Sequence, residues 1–220
     1  MMYWCEITNI SPVQYYTVQS AGGMLTGSFI GDLALDYATA YYSGDIDYHK
    51  LDIKKPDYDE IKDFSTLWSV AVPESIIKHN SFSVRYMKMF YRNTMLGIDY
   101  NGTNLNPLYR VGSYMYKNFY FVQPMRPGNK FYAAVKTDLN ISELPMALRV
   151  GNGKTGLIKI NYTGIDKIND LNRIYINLFT IKNIFGKNIE TNDMQIYSIL
   201  NNYIIAGPIK GDAMHELYSL

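Results

Sequence analysis

The 220-residue chain is 47% apolar and 15% aromatic, with 21 tyrosines and a formal charge of +1. That balance excludes a disordered chain and supplies enough apolar surface for one sizeable core, or for a core carrying a long insertion. There is no apolar run of membrane-spanning length, and MMYWCEITNI has no basic leader before an apolar stretch, so the expectation is a cytoplasmic protein with no membrane partner.

One cysteine, Cys5, leaves no internal disulfide, and His49, His79 and His215 are too scattered for a structural zinc spacing. No metal and no cofactor are expected. Asn-x-Ser/Thr sequons begin at Asn9, Asn101, Asn140 and Asn161, and in an Asn-rich chain without a leader they read as accidental.

In chain order, Tyr3 to Ile10 alternates as a strand, with Tyr3, Cys5, Ile7 and Asn9 on one face. Ser11-Pro12 ends it, and a glycine-bearing connection through Gly22, Gly23 and Gly27 follows. Ser28 stands as a helix N-cap, and Ile30, Leu33, Ala34, Tyr37, Ala38 and Tyr41 recur at helical spacing up to a stop near Gly44. Asp32 falls in the first turn, where the helix dipole favours an acid. Asp45 to Asp63 is acidic and short of aliphatics, a solvated excursion closing on a short helix, and Leu67 to Val72 forms a second core strand.

The stretch from Lys78 to Thr137 then concentrates positive charge. Nine basic residues (Lys78, Arg85, Lys88, Arg92, Arg110, Lys117, Arg126, Lys130 and Lys136) face the single acid Asp99, a net of +8. Residues 1–77 hold four basic groups against eleven acids, and residues 138–220 balance at eight and eight. A chain that sorts its charge by position in this way is suited to bind a polyanion through one arm. Within the stretch, residues 82–87, 114–121 and 131–136 alternate as strands, with turn signals at Asn101-Gly102 and Asn106-Pro107 between the first two. Aromatic rings, among them Tyr86, Phe90, Tyr91, Tyr109, Tyr114 and Tyr116, are interleaved with the cations, as where bases stack and phosphates pair. A solvated strand face is the plain alternative, and the scarcity of acids speaks against it.

Leu144 to Val150 and Leu157 to Tyr162 form a strand pair joined by Gly151-Asn152-Gly153-Lys154-Thr155-Gly156, where Asn-Gly favours a tight turn. Gly153-Lys154-Thr155 is not a P-loop, because the position five residues before the Gly-Lys pair is Leu148. Two readings of the loop stand side by side: bare amides approaching a phosphate beside Arg149, Lys154 and Lys159, or a hairpin turn with a solvated lysine. The glycines at 22, 23 and 27 read as an ordinary connection rather than an anion site. Beyond Asp166, Leu171, Ile174, Tyr175, Leu178, Ile181 and Phe185 have helical spacing, and Tyr203 to Ala206 reads as a final strand.

Strand, helix, strands, helix and closing strand give an α+β class. The succession predicts a ferredoxin-like (RRM-like) core, residues 1–77 and 138–220, with residues 78–137 as a long basic β-hairpin insertion. For catalysis, a metal-independent ribonuclease needs a His or Tyr base beside a cation, and only His79 lies near the basic stretch. A lone histidine reads better as a surface or capping residue.

Phe29-Ile30-Gly31-Asp32-Leu33-Ala34-Leu35-Asp36-Tyr37-Ala38, behind Gly27-Ser28, resembles the first helix of the Cas-five family of CRISPR-associated proteins in its type I-D Cascade branch, called Csc-one. Leu148 to Gly156 resembles the glycine-rich strand-loop-strand of the same group, a feature shared across Cas RNA-binding proteins. The resemblance implies a non-catalytic subunit gripping the 5′ handle of the crRNA, with the β insertion as a thumb on the first backbone (Cas-seven-type) subunit. It also implies contact with the large Cas-ten-type subunit near the entry of target DNA. RNA contacts would come from Arg149, Gly151, Asn152, Gly153, Lys154, Thr155 and Gly156 and from the thumb residues Arg85, Tyr86, Lys88, Arg92, Tyr109, Arg110 and Lys117. One branch of the family cleaves crRNA precursors, but no Tyr/Lys/His set can be placed in this sequence, so no catalytic residue is expected. The remaining rivals are a metal-independent endoribonuclease acting on repeat RNA and a protein-interaction subunit without RNA contact.

Overall fold

The computed structural model describes residues 1–15, 18–20, 23–46, 58–79, 89–91, 95–98, 119–151, 155–164, 173–200 and 203–219. Strand β1 (Met2–Asn9) is the centre of the main sheet. Its alternation buries Cys5, Ile7 and Asn9 on one face, while Trp4, Glu6 and Thr8 point to the other. After β2 (Val18–Ser20) and β3 (Gly23–Leu25) comes helix α1 (Asp32–Ser43), stopped by Gly44 in a left-handed conformation at φ 83°. A short 3-10 turn (Asp59–Asp63) leads into β4 (Thr66–Trp68) and β5 (Val72–Pro73), then α2 (Glu74–His79). The rest comprises β6 (Met95–Ile98), β7 (Phe119–Gln123), β8 (Lys130–Thr137), β9 (Ala147–Val150), β10 (Gly156–Gly164), β11 (Ile174–Asn177), β12 (Gln195–Leu200), β13 (Tyr203–Ile209) and α3 (Gly211–Leu217).

The main sheet runs β4-β8-β1-β10-β9, with β5 also on β8, and every pairing in it is antiparallel. Its buried face contributes Cys5, Ile7, Phe131, Ala133, Val135, Leu148, Val150, Ile158 and Ile160 to a core closed by Ile30, Leu35 and Trp68. A three-stranded sheet, β11-β13-β12, and α3 form a second layer. Helix α1 lies between the two layers, turning Leu35 to the first and Leu33, Tyr37 and Ala40 to Ile174, Ile176 and Ile181 of the second.

A helix covered on two sides buries polar positions that a one-sided helix would leave wet. Asp32 and Asp36 are both fully buried. Asn177 Nδ2 donates to Asp32 Oδ1 at 3.1 Å and Thr180 Oγ1 donates to Asp32 Oδ2 at 2.5 Å, which ties α1 to the second layer. The Trp68 amide donates to Asp36 Oδ1 at 2.7 Å and its indole N–H to Thr39 Oγ1 at 2.9 Å, which ties α1 to β4. Each bond exchanges a solvated polar group for a partnered one, the condition for burying it.

The α+β class and the elements at 2–9, 147–150, 156–164 and 203–209 match the expectations. Three others change. The helix begins at Asp32 behind Gly31, with no side-chain cap, because Ile30 pairs with Ala71 in a bridge (Ile30 N–H to Ala71 O, 2.9 Å) that keeps the chain extended beyond Ser28. The helical spacing beyond Asp166 gives strand β11 and one short helical turn at Thr180–Ile184; the β-branched Ile174 and Ile176 are buried there as strand residues. Finally, residues 130–137, assigned to the insertion by their charge, form β8 beside β1, since Phe131, Ala133 and Val135 on one face are core and only the other face carries Lys130 and Lys136. Among the described residues β8 precedes the β9–β10 hairpin in sequence, and the stretch expected as the second helix holds β11 followed by the turn at Thr180–Ile184. From the rest of the basic stretch, β6 and β7 pair antiparallel in a sheet ordered β2-β3-β7-β6, in which β3 and β7 are parallel.

Candidate nucleic-acid interface

One end of the main sheet, where β1 finishes and β8 and β10 begin, gathers segments distant in sequence. Asn9 organises it. Its backbone N–H donates to Asn129 O (3.1 Å), its carbonyl accepts from Gly128 N–H (2.7 Å), and its buried Nδ2 donates to Arg126 O (2.6 Å). The turn at Arg126–Asn129 is thereby fixed against β1, with Arg126 and Lys130 exposed on either side of it. Just beyond β1, Val13 exchanges backbone bonds with Met125 at 3.2 and 2.8 Å, and Met89 O accepts from Arg126 N–H at 2.8 Å. Basic-stretch backbone thus forms the floor of this end.

The same segment anchors the glycine-rich loop. Ile10 N–H donates to Leu157 O at 2.7 Å; Ser11 Oγ accepts from Leu157 N–H at 2.7 Å and donates to Thr155 O at 3.3 Å. Gly151 has φ +83°, and a Cβ there would lie 2.8 Å from Gln14 O; at Gly156 a Cβ would lie 2.8 Å from Val13 Cγ2 and from Val150 O. Those two glycines are fixed by backbone packing against Val13–Gln14. The Tyr15 hydroxyl is buried beside the Gly151 backbone, and burial pushes its ionisation far above the ordinary phenol range.

Of the residues expected to touch RNA, Arg149, Gly151, Thr155 and Gly156 come together here, with Arg149 and Thr155 exposed. Asn152, Gly153 and Lys154 lie outside the described residues, as do Arg85, Tyr86, Lys88, Arg92, Tyr109, Arg110 and Lys117. Sequence reasoning missed that Arg126 and Lys130 share this end of the sheet with the loop. The usable signal was Arg126-Pro127-Gly128, a turn directly before an alternating run. His79 is exposed at the end of α2, and among the described residues no group of three His, Cys, Asp or Glu side chains is placed to hold a metal. No described helix is long and apolar enough to cross a membrane.

The open face of the sheet carries an electrostatic pattern of its own. Glu6 accepts from Lys130 Nζ at 3.0 Å and from the Tyr132 hydroxyl at 3.1 Å. The Lys130 ammonium holds the Glu6 carboxyl below its usual range, while partial burial and the Glu6 bond push the Tyr132 phenol up to about 12. Tyr132 stacks on Trp4 with ring centroids 6.0 Å apart at 16°.

No curated protein matches the chain. It is similar to a chain of a structure described as "Type IV-B CRISPR Complex", at 7% identity and TM-score 0.41, covering 75% of this chain and 91% of that one. A second similarity is to a chain of "Cryo-EM structure of the Type III-B Cmr-beta bound to cognate target RNA and AMPPnP, state 1", at 9% identity and TM-score 0.42, covering 94% and 84%. The family model described as type I-D CRISPR-associated protein Cas5/Csc1 matches residues 1–209, and the chain belongs to that family.

Proposed function

We propose that the protein is a non-catalytic subunit of a type I-D CRISPR effector that binds the 5′ handle of the crRNA and caps the filament of backbone subunits. The family match over residues 1–209 carries this reading. The exposed Arg149 and Thr155, at the same end of the main sheet as Arg126 and Lys130, support it. Arginine and lysine would hold phosphates and set the register, while the loop amides and tyrosines of residues 78–137 would meet a single-stranded handle. Within this proposal residues 1–77 and 138–220, together with β8, form a ferredoxin-related core. The remainder of the basic stretch is the thumb on a Cas-seven-type neighbour, and a Cas-ten-type large subunit and target DNA are further partners.

Incubating the purified chain with repeat RNA in EDTA separates this from the endoribonuclease. Retention of intact RNA is expected; specific cleavage abolished by His79→Ala would overturn the non-catalytic assignment. Stable assembly with partner subunits after complete RNase treatment, with no RNA bound, would favour a purely protein-interacting role.

A further inference from the structure

On the Glu6 face of the main sheet Ala134 and Trp4 pack into the second core, and the part beyond them, which stays open, is arranged in rows. Cross-strand pairing puts Lys130, Thr8 and Lys159 side by side on β8, β1 and β10, with Ala147 of β9 completing the row. The next row towards the loop is Leu157 and Arg149, and the next away from it is Tyr132, Glu6 and Asn161. Lys130, Lys159, Asn161 and Arg149 are exposed. The acid on these rows, Glu6, is already engaged by Lys130 and Tyr132. Among the described residues, no acid stands within ion-pair distance of Lys159 or Arg149. At the far side of the patch Lys136 is withdrawn, because its Nζ donates to Tyr218 O at 2.7 Å and to Ser219 Oγ at 3.0 Å under the C-terminal segment.

From this juxtaposition we infer that the open sheet face is a second RNA surface, which takes the single strand as it leaves the glycine-rich loop; the inference rests on the handle-binding reading. Arg149 and Lys159 stand one row apart on neighbouring strands, and Lys130 stands in the Lys159 row two strands further on, with strands spaced about 4.8 Å apart. The Arg149 guanidinium and the Lys159 ammonium meet successive phosphates, the Thr8 hydroxyl and Asn161 amide meet sugar hydroxyls or base edges, and the Glu6-paired Lys130 and the half-buried Tyr132 ring close the path. The charge favours RNA over an apolar protein partner: with Lys130 and Glu6 paired, the rows keep two unpaired cations, Arg149 and Lys159, and no unpaired acid among the described residues, and Arg149 lies on the strand that enters the loop.

The test uses the full chain and two labelled probes, repeat-derived handle RNA and a single-stranded oligouridylate, titrated at several salt concentrations. Lys159→Gln removes an exposed charge, so its melting temperature should equal that of the parent. Its affinity for both probes should fall by roughly three- to tenfold, and the slope of log affinity against log salt should shrink by about 0.7, one phosphate on a single strand. Photo-crosslinks to handle RNA should fall on the peptides holding Lys130–Tyr132 and Lys159. Parent-like binding by Lys159→Glu, with crosslinks confined to 149–156, would overturn the second surface and leave handle binding intact. Loss of subunit assembly with RNA affinity unchanged would instead make the face a protein contact and also overturn it. If the parent chain binds neither probe, the handle reading falls with it.

Discussion

Asp32 and Asp36 stand one helical turn apart on α1, buried and without a basic partner among their hydrogen bonds. Desolvation raises the Asp32 carboxyl to about 6, against the bonds from Thr180 and Asn177 that favour its charged form. Asp36 is raised well above the usual range, first by burial and then by the Asp32 charge. Both groups bind a proton more tightly folded than unfolded, so stability is highest below the unfolded value of 3.8 and is lost as pH rises from there through the folded values. Asp36→Asn keeps an acceptor for the Trp68 amide and abolishes the titration. The variant should match the parent in stability at about pH 3, below the unfolded value of 3.8, and exceed it increasingly as pH rises towards 8, by chemical denaturation at each pH. Asp36→Ala, which strands a buried N–H, should cost about 1–3 kcal/mol at both. A parent more stable than Asp36→Asn at pH 8 would contradict the assignment of a raised Asp36.

At Gly151 the strain is local and backbone-borne. Gly151→Ala places a Cβ at a left-handed φ and 2.8 Å from Gln14 O, so a loss of about 1–3 kcal/mol is expected. Lys154→Gln should weaken RNA binding with no change in melting temperature, separating the loop's packing from its charge.

At the scale of elements, β1 is the strand on which the main sheet depends. Its Cys5 is fully buried, and burial raises the thiol well above its usual range. Alkylation of Cys5 in the native protein should therefore proceed only at the rate of global opening, and fast labelling under native conditions would show that β1 is a peripheral strand. The period-2 alternation of β1 was legible because one face is apolar and the other mixed, as it was for β10, where Ile158 and Ile160 are buried and Lys159 and Asn161 exposed. The stop of α1 was legible at Gly44, since glycine adopts the left-handed turn without cost. Its start was not, because the extended run through Ile30 is imposed by Ala71, some forty residues later. The Ile-rich segment after residue 173 misled by spacing: Ile174 and Ile176 read equally as helix positions or as buried strand positions, and only the tertiary pairing with β13 chooses. The pairing of Asp32 with Asn177 and Thr180 could not be foreseen, for a first-turn acid reads as a solvated dipole partner until a second layer covers it.

For the whole molecule, charge followed the chain in sequence but not in space. The +8 stretch contains β8, which the fold draws into the central sheet; there its basic face lies beside Lys159 and Arg149 from the balanced C-terminal part. The glycine-rich loop and the basic stretch, read separately in the sequence, thus meet at one end of the sheet through Ser11, Val13 and Met125. The candidate interface was legible at Arg149 and at the loop from composition and turn chemistry. Its other half, Arg126 and Lys130, was not, because it depends on the pairing of β8 with β1 across more than 120 residues. Binding that rests on phosphate contacts from such a surface must weaken with salt.

The most direct test of that claim is the affinity of the full chain for labelled 5′-handle RNA, measured across a series of salt concentrations. Affinity should fall linearly on logarithmic axes with a slope of about −0.7 for each phosphate held, and handle RNA should bind more tightly than a scrambled strand at every point. An affinity that is unchanged between low and high salt would contradict the account.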